Sequence, residues 1–346
     1  MKNHILVLAL GSAMALSACG GGGGGGGGGG TTTPPPVTTT PPPATSTQSS
    51  ITATNATSAA SNAYAATTSV GASSASLTDI LTGVSVTNTN INTVAPLLTL
   101  VKRAYSGKQL LTGAAVNETQ PCSGGGSLVT TGTVSNPDAL SNGDALTITA
   151  NSCVENNQTL SGALGIKFSG VTGNTATPVF GVTMDSTFTN FSITSGTDKV
   201  GVNGDMKIVL NQTSASANSI TLSGTSLKTT EQQGSAAVVE RTITAYSVTG
   251  STQSNVNTSA ANFGLSGTSP KLGTFAYTVK NLAPFVINTS TASAVPTSGS
   301  LIVTGNASSV TATVVSNGVR VDFSAAGNAT ITSTETVAWA AFLSSI

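Results

Sequence analysis

From Pro121 to Phe323, apolar residues return at every second position in one segment after another, and the mostly short gaps between segments leave little room for crossover helices. Parallel neighbours need a dozen or more connecting residues, so this spacing calls for antiparallel pairing. The segments run Ser127 to Val134, Leu146 to Thr149, Leu160 to Phe168, Val179 to Ile193, Val200 to Leu210, Ile220 to Leu227 and Val238 to Val248. Phe275 to Val279, Leu301 to Val303, Val310 to Val315 and Val319 to Phe323 complete the series. Turn-forming Asn142-Gly143-Asp144, Asn203-Gly204-Asp205 and Asn317-Gly318 stand between or within them. The expected fold is mainly β: a large antiparallel sheet over residues 116–346 with one or two short helices packed on it. The tripeptide Leu-Ser-Gly recurs at Leu160, Leu222 and Leu265, inside strand-like segments and at unequal spacing. Unequal spacing excludes a solenoid period. Glycine inside a strand marks a bend or bulge, so the sheet is expected to be strongly curved, with a half-barrel as the sharper form. The alternative is coincidence in a chain rich in Gly and Ser.

Hydrophobic residues make up 38% of the chain, enough for a sizeable core, but charged residues only 7%. Solubility therefore rests on Ser, Thr, Asn and Gly. Low charge with repeated Val, Ile and Leu is the opposite of a disordered signature for most of the chain. The 12 basic and 12 acidic residues form no basic patch, which excludes an electrostatic footprint for nucleic acid.

The first 50 residues read differently. Lys2 followed by the apolar run Ile5 to Leu16 has the form of a signal peptide over residues 1–18. That run is too short to span a bilayer as a helix. Leu16-Ser17-Ala18-Cys19 resembles a bacterial lipobox, which implies lipidation of Cys19 and cleavage just before it. Several acyl chains on Cys19 would anchor the chain stably to a membrane. Gly20 follows the cysteine, not the aspartate associated with inner-membrane retention in enterobacteria. The family rule thus implies the outer membrane, with the domain facing either the periplasm or the surface. Residues 19–50 hold an uninterrupted glycine run from Gly20 to Gly30 and the triplets Pro34-Pro35-Pro36 and Pro41-Pro42-Pro43. Neither composition builds a core, so a disordered spacer is expected there.

Residues 51–115 are rich in Ala, Ser and Thr. Ala59 to Ala66 has the composition of a weak helix. Val94, Leu97, Leu98, Val101 and Tyr105 fall at helical spacing, which predicts an amphipathic helix over Asn92 to Tyr105 that packs on the core. At the other end, Thr332 and Glu335 have capping-box spacing ahead of Trp339, Phe342 and Leu343. A short terminal helix docking its bulky face on the sheet is expected.

With Cys19 lipidated, Cys122 and Cys153 remain, and two cysteines of an exported protein pair readily. Their surroundings, Cys122-Ser123-Gly124-Gly125-Gly126-Ser127 and Asn151-Ser152-Cys153 followed by Leu160-Ser161-Gly162, resemble a group of uncharacterised proteobacterial lipoproteins. Pro296 to Gly305 and the terminal tryptophan-leucine segment are also similar. The resemblance covers about residues 91–346, and implies a lipoprotein with a β-rich domain and no named reaction.

Chemistry is thinly represented. The one histidine, His4, leaves with the signal peptide, so a Ser-His-Asp or Cys-His arrangement is excluded from the mature chain. A metal site lacks a ligand cluster, and no cofactor is expected. Gly124-Gly125-Gly126 is not followed by the Lys-Ser/Thr of a phosphate loop. Asn136-Pro137-Asp138 and Asn142-Gly143-Asp144 hint at calcium, but turn chemistry explains them better. Asp185, Asp198, Asp205, Glu231, Glu240, Asp322 and Glu335 are scattered, and two of them would have to meet in the fold to serve a hydrolase. The expected function is non-catalytic: an outer-membrane-anchored envelope lipoprotein whose curved sheet holds a lipid or other apolar ligand. A surface adhesion or interaction module is the alternative, and a carboxylate-based hydrolase ranks last.

Overall fold

A computed structural model describes residues 48–71, 115–135, 141–155, 157–173, 179–214, 216–288, 290, 295–326 and 330–346, with residues 68–71 as backbone only. The expected signal peptide, Cys19, residues 19–47 of the expected spacer and the helix expected over Asn92 to Tyr105 lie outside these residues; Ser49, at the end of the expected spacer, donates its N–H to the Ala276 carbonyl and accepts from Asn306 N–H. Helix α1 (Ala56–Gly71) comes first, then β1 (Ala115–Pro121), β2 (Ser127–Thr133), β3 (Ala145–Glu155), β4 (Gln158–Gly173) and β5 (Phe180–Ser195). β6 (Asp198–Ser214), β7 (Ala217–Gln232), β8 (Val239–Gln253), β9 (Val256–Ser269) and β10 (Gly273–Asn288) follow. The chain ends with β11 (Ser298–Gly305), β12 (Ser308–Val315), β13 (Gly318–Ser324), β14 (Ser333–Val337) and helix α2 (Trp339–Leu343).

The strands form one open antiparallel sheet in sequence order, β1 through β14, each paired to the next. Short connections dictate this order, because each strand has reach only to its neighbour. The expected mainly β fold with a large antiparallel sheet and short helices is what the chain adopts. Three strands exceed the expectation: β9 and the two edge strands β1 and β14 were not among the alternating segments, since Ala260, Gly264 and Gly267 dilute β9, Asn117 to Gln120 are polar in β1 and Ser333 to Thr336 are polar in β14.

One face of the sheet is buried and the other is wet. On β5, Val182, Met184, Phe188, Phe191 and Ile193 point inward, while Thr183, Asp185 and Thr187 point outward. Lys167, Asp185 and Lys207 stand opposite one another on the outer face of β4, β5 and β6. A membrane barrel shows apolar side chains outward, so this sheet has the inverse polarity. Among the described residues no helix is long and apolar enough to cross a membrane.

The sheet curls around α1. The Ser61 hydroxyl donates to the Phe342 carbonyl of α2 (2.6 Å), while the next residue, Asn62, accepts from Arg241 Nε of β8 (3.2 Å). In a flat sheet β8 and β14 would lie about 29 Å apart, six strand spacings. Consecutive residues of one helix reach β8 and the segment after β14, so the strands between must arc around it. α1 packs on β8, β9 and β11 to β13. Its Ala59, Ala60 and Ala63 are completely buried; small side chains let the helix backbone sit close to the sheet. The expectation of a weak helix here is thus corrected in rank: this helix is the centre of the C-terminal half. Tyr64 gathers an aromatic cluster, with Phe285 at 5.1 Å, Trp339 at 5.3 Å and Phe342 at 5.8 Å between ring centroids.

The terminal helix exists and docks through Phe342, which is fully buried. Its expected capping box does not form. Ser333–Val337 extends the sheet as β14, the helix N-cap is Ala338 with no side-chain cap, and the Glu335 carboxylate accepts from the Thr57 hydroxyl. Pairing with β13 satisfies the backbone over Thr334 to Val337, which outweighs a cap of about 1 kcal/mol.

Candidate functional site

Among the described residues the inner face carries one ionic pair, on the hairpin of β7 and β8. Cross-strand pairing places Val202, Thr229, Arg241, Gly267 and Phe275 in one row across β6 to β10. Val200 and Glu231 occupy the next row. Arg241 is 4% exposed and Glu231 6%. Arg241 Nη1 meets Glu231 Oε1 at 3.5 Å, and Nε donates to Asn62 Oδ1 at 3.2 Å. The Asn62 amide is oriented by its own Nδ2, which donates to the Ser58 carbonyl (3.0 Å). Arg241 Nη2 is buried without a hydrogen-bond partner.

Burial dominates the electrostatics here. It pushes the Glu231 carboxyl up to about 7, against the smaller opposing pull of Arg241, and pulls Arg241 down from its ordinary range. The guanidinium still carries its charge at neutral pH. One long contact to a carboxyl that burial pushes toward its neutral form therefore leaves an interior cation short of an acceptor, with one N–H edge unused.

The other expected site residues have local roles. Cys122 and Cys153 form the disulfide, with Cα atoms 5.4 Å apart. It ties the β1–β2 turn to β3, and the glycines beside it are there because the turn lies against that strand. Gly124 N–H donates to the Val154 carbonyl and Val154 N–H to that of Gly125. A Cβ on Gly126, at φ +74°, would stand 2.1 Å from the Ser152 carbonyl oxygen. Glu155 approaches both sulfurs, but its carboxylate accepts from the N–H and hydroxyl of Ser123. Asp144 is fully buried and accepts the N–H groups of Ser135 and Ser141, which is turn chemistry. Asn136-Pro137-Asp138 lies outside the described residues.

The scattered carboxylates mostly bind their own surroundings. Asp198 accepts from Gly234 N–H, and Asp205 from Thr225 and Ser226 N–H. Glu240 pairs with Lys228 at 2.7 Å on the outer face. Asp322 accepts from Arg320 and the Thr334 hydroxyl. Asp185 stands on the outer face, on the wall of an open basin of about 510 Å³ with Thr131, Thr133, Thr147, Gly165 and Lys167.

Glu231 was a named candidate, but Arg241 and Asn62 were not. The Leu-Ser-Gly glycines explain part of this. Gly162, at φ +98°, is the residue skipped between Ser161 and Ala163 in the β4–β5 register, and its Cβ would lie 2.2 Å from the Asn190 carbonyl oxygen. Gly224 lies under the Tyr246 hydroxyl, which donates to the Asp205 carbonyl beside another register shift. Gly267 pairs regularly with Arg241 and marks no bulge. Two of the three glycines therefore sit at irregularities that bend the sheet.

Comparison with protein-family models, curated proteins and solved structures finds no match to this chain.

Proposed function

We propose that this chain is a non-catalytic, lipid-anchored protein of the cell envelope, held at the outer membrane through Cys19, whose curved sheet takes up a lipid or other apolar ligand. The observation that carries the reading is the division of the sheet into an apolar inner face, curled around α1, and a polar outer face. A sheet of this polarity stands in water and keeps its apolar lining for what it encloses. The lipobox-like Leu16 to Cys19 and the Gly, Thr and Pro spacer supply the tether. The resemblance of the Cys122 and Cys153 segments to proteobacterial lipoproteins agrees with this address. Glu231 faces an arginine instead of a second carboxylate, which counts against the hydrolase reading.

Two measurements test it. Metabolic labelling with palmitate should mark the wild-type chain and not Cys19→Ser; equal labelling would overturn the anchor. Native mass spectrometry of the full chain carrying Cys19→Ser should show a discrete extra mass that delipidation removes. A clean apoprotein mass from folded, disulfide-bonded protein would overturn the ligand.

The open outer basin favours a second reading, a surface interaction module. Its Thr hydroxyls, with Lys167 and Asp185, would suit a neutral polar partner, and the spacer would carry it away from the membrane. Protease treatment of intact cells distinguishes the two: cleavage of the domain supports surface display.

A further inference from the structure

We propose that Arg241 is the recognition group for a small anionic oxygen head, a carboxylate or phosphate, on an amphiphile held by the inner face of the sheet. This rests on the apolar-ligand reading above and specifies the ligand's chemistry.

The starting point is an incomplete coordination. A guanidinium offers five donors in a planar fork matched to carboxylate and phosphate oxygens. At Arg241, Nε is held by Asn62 and Nη1 reaches Glu231 at the long distance of 3.5 Å. Nη2 faces the interior with no acceptor. Unpaired buried donors are rare in folded proteins, and one on a cation is rarer, because the charge raises the penalty. An anion meeting that edge would supply both the acceptor and the countercharge.

The neighbourhood fits an amphiphile more closely than a free ion. Gly267 stands beside Arg241 in the same row, with its backbone pressed close to β8, where a Cβ would lie 1.9 Å from the Glu240 carbonyl oxygen. On the opposite side the two rows continue through Val202 and Phe191, and through Val200, Ile193 and Leu160, all buried. Buried apolar side chains thus run across β6, β5 and β4 to Thr229 and Glu231 beside the cation, the order in which a fatty tail and its head would meet them. Asn62 fixes the guanidinium from α1, so the donor edge is oriented before any ligand arrives. Glu231 opposes an anion only when ionised, and burial moves its titration up to about 7.

The test uses the full-length chain carrying Cys19→Ser, which bears no lipid of its own, with cis-parinaric acid and its methyl ester as fluorescent probes. The wild-type Arg241 protein should bind the acid at least tenfold more tightly than the ester. Arg241→Gln should lose that preference by weakening the acid alone, Arg241→Lys should recover part of it, and Lys228→Ala on the outer face should leave it intact. Equal binding of acid and ester by the Arg241 protein would overturn the head-group assignment while leaving the apolar-ligand reading standing. Binding of neither probe would overturn both. Inorganic phosphate that displaces the acid without displacing the ester would confirm an anion at Arg241. Phosphate that binds with acid and ester both inert would assign the site to a free ion and overturn the amphiphile. The acid-to-ester ratio needs no variant, so the proposal stays testable if Arg241→Gln fails to fold.

Discussion

The hairpin of β7 and β8 carries two ion pairs, one on each face of the sheet. Lys228 and Glu240 point outward at 2.7 Å, with side chains 45% and 36% exposed. Arg241 and Glu231 point inward at 3.5 Å, with side chains 5% and 7% exposed. The closer pair matters less. Water screens the outer charges, and two long side chains must be ordered to meet. The inner charges have lost their water, so each depends on the other even at the longer distance. Burial, more than separation, ranks the two pairs.

Removing one partner of the inner pair should have the largest effect. Arg241→Met leaves a buried carboxyl with no cation and should lower unfolding free energy by about 3–5 kcal/mol, as measured by urea denaturation. The double substitution Arg241→Met with Glu231→Leu should recover most of that loss, because apolar groups of similar volume replace both charges. A single substitution that costs under about 1 kcal/mol would show the inner pair to be as hydrated as the outer one. The far end of Glu231's row offers the next test. Leu160, Ile193 and Val200 connect Glu231 to Cys153 through successive strand pairings. Replacing both Cys122 and Cys153 by Ala opens a sequence separation of 31 residues and should cost about 3.5 kcal/mol by the chain-entropy model. If it also weakens the Arg241–Glu231 coupling in a double-mutant cycle, the row acts as one packed unit.

The same hairpin shows how far the sequence was legible. Alternation identified β7 and β8 as strands, but it could not say which charges face inward. Counting from Ile220 and Leu222 in steps of two puts Lys228 and Thr230 inside and Glu231 outside. The chain does the opposite, because the phase flips between Gly224 and Leu227. Facing it, Ala245 takes a positive φ, and Tyr246 and Val248 lie inward on the other parity from Arg241 and Ile243. A one-residue slip exchanges the faces of everything beyond it. Leu222-Ser223-Gly224 signalled a bend, yet nothing local gave its direction. The helix over Ala59 to Ala66 was legible as a helix, but its burial depends on the sheet curling around it. Asn62 is 179 residues from Arg241, a pairing no local pattern could carry. The disulfide was legible because setting Cys19 aside as the expected lipid site left two cysteines to pair.

Acidity tests the inner pair further. Unfolded, Glu231 loses its proton near pH 4.5; folded, it holds the proton to about 7. Between those values the folded chain binds more protons than the unfolded one, so Glu231 makes stability fall as pH rises. Its contribution is complete below about 4.5, declines through the window and is absent above about 7. The change is on the order of 3 kcal/mol. Glu231→Gln should flatten that part of the pH profile. An unchanged profile in Glu231→Gln would mean that the carboxyl retains its water.

The smallest effect belongs to the outer pair, and its smallness is the informative result. Lys228→Ala should lower stability by about 0.2–1 kcal/mol, with the loss shrinking as salt is raised toward 1 M. Arg241→Met should show little salt dependence, because a buried pair is screened far less than an exposed one. The two variants lie on one hairpin, so strand propensity, turn and contact order are shared. What differs is the face. A salt-insensitive loss of several kcal/mol from Lys228→Ala would mean that something covers the outer face. The polar side of the sheet, with its open Thr-lined basin, would then be the one engaged by a partner, and the surface-module reading would gain what the apolar-ligand reading lost.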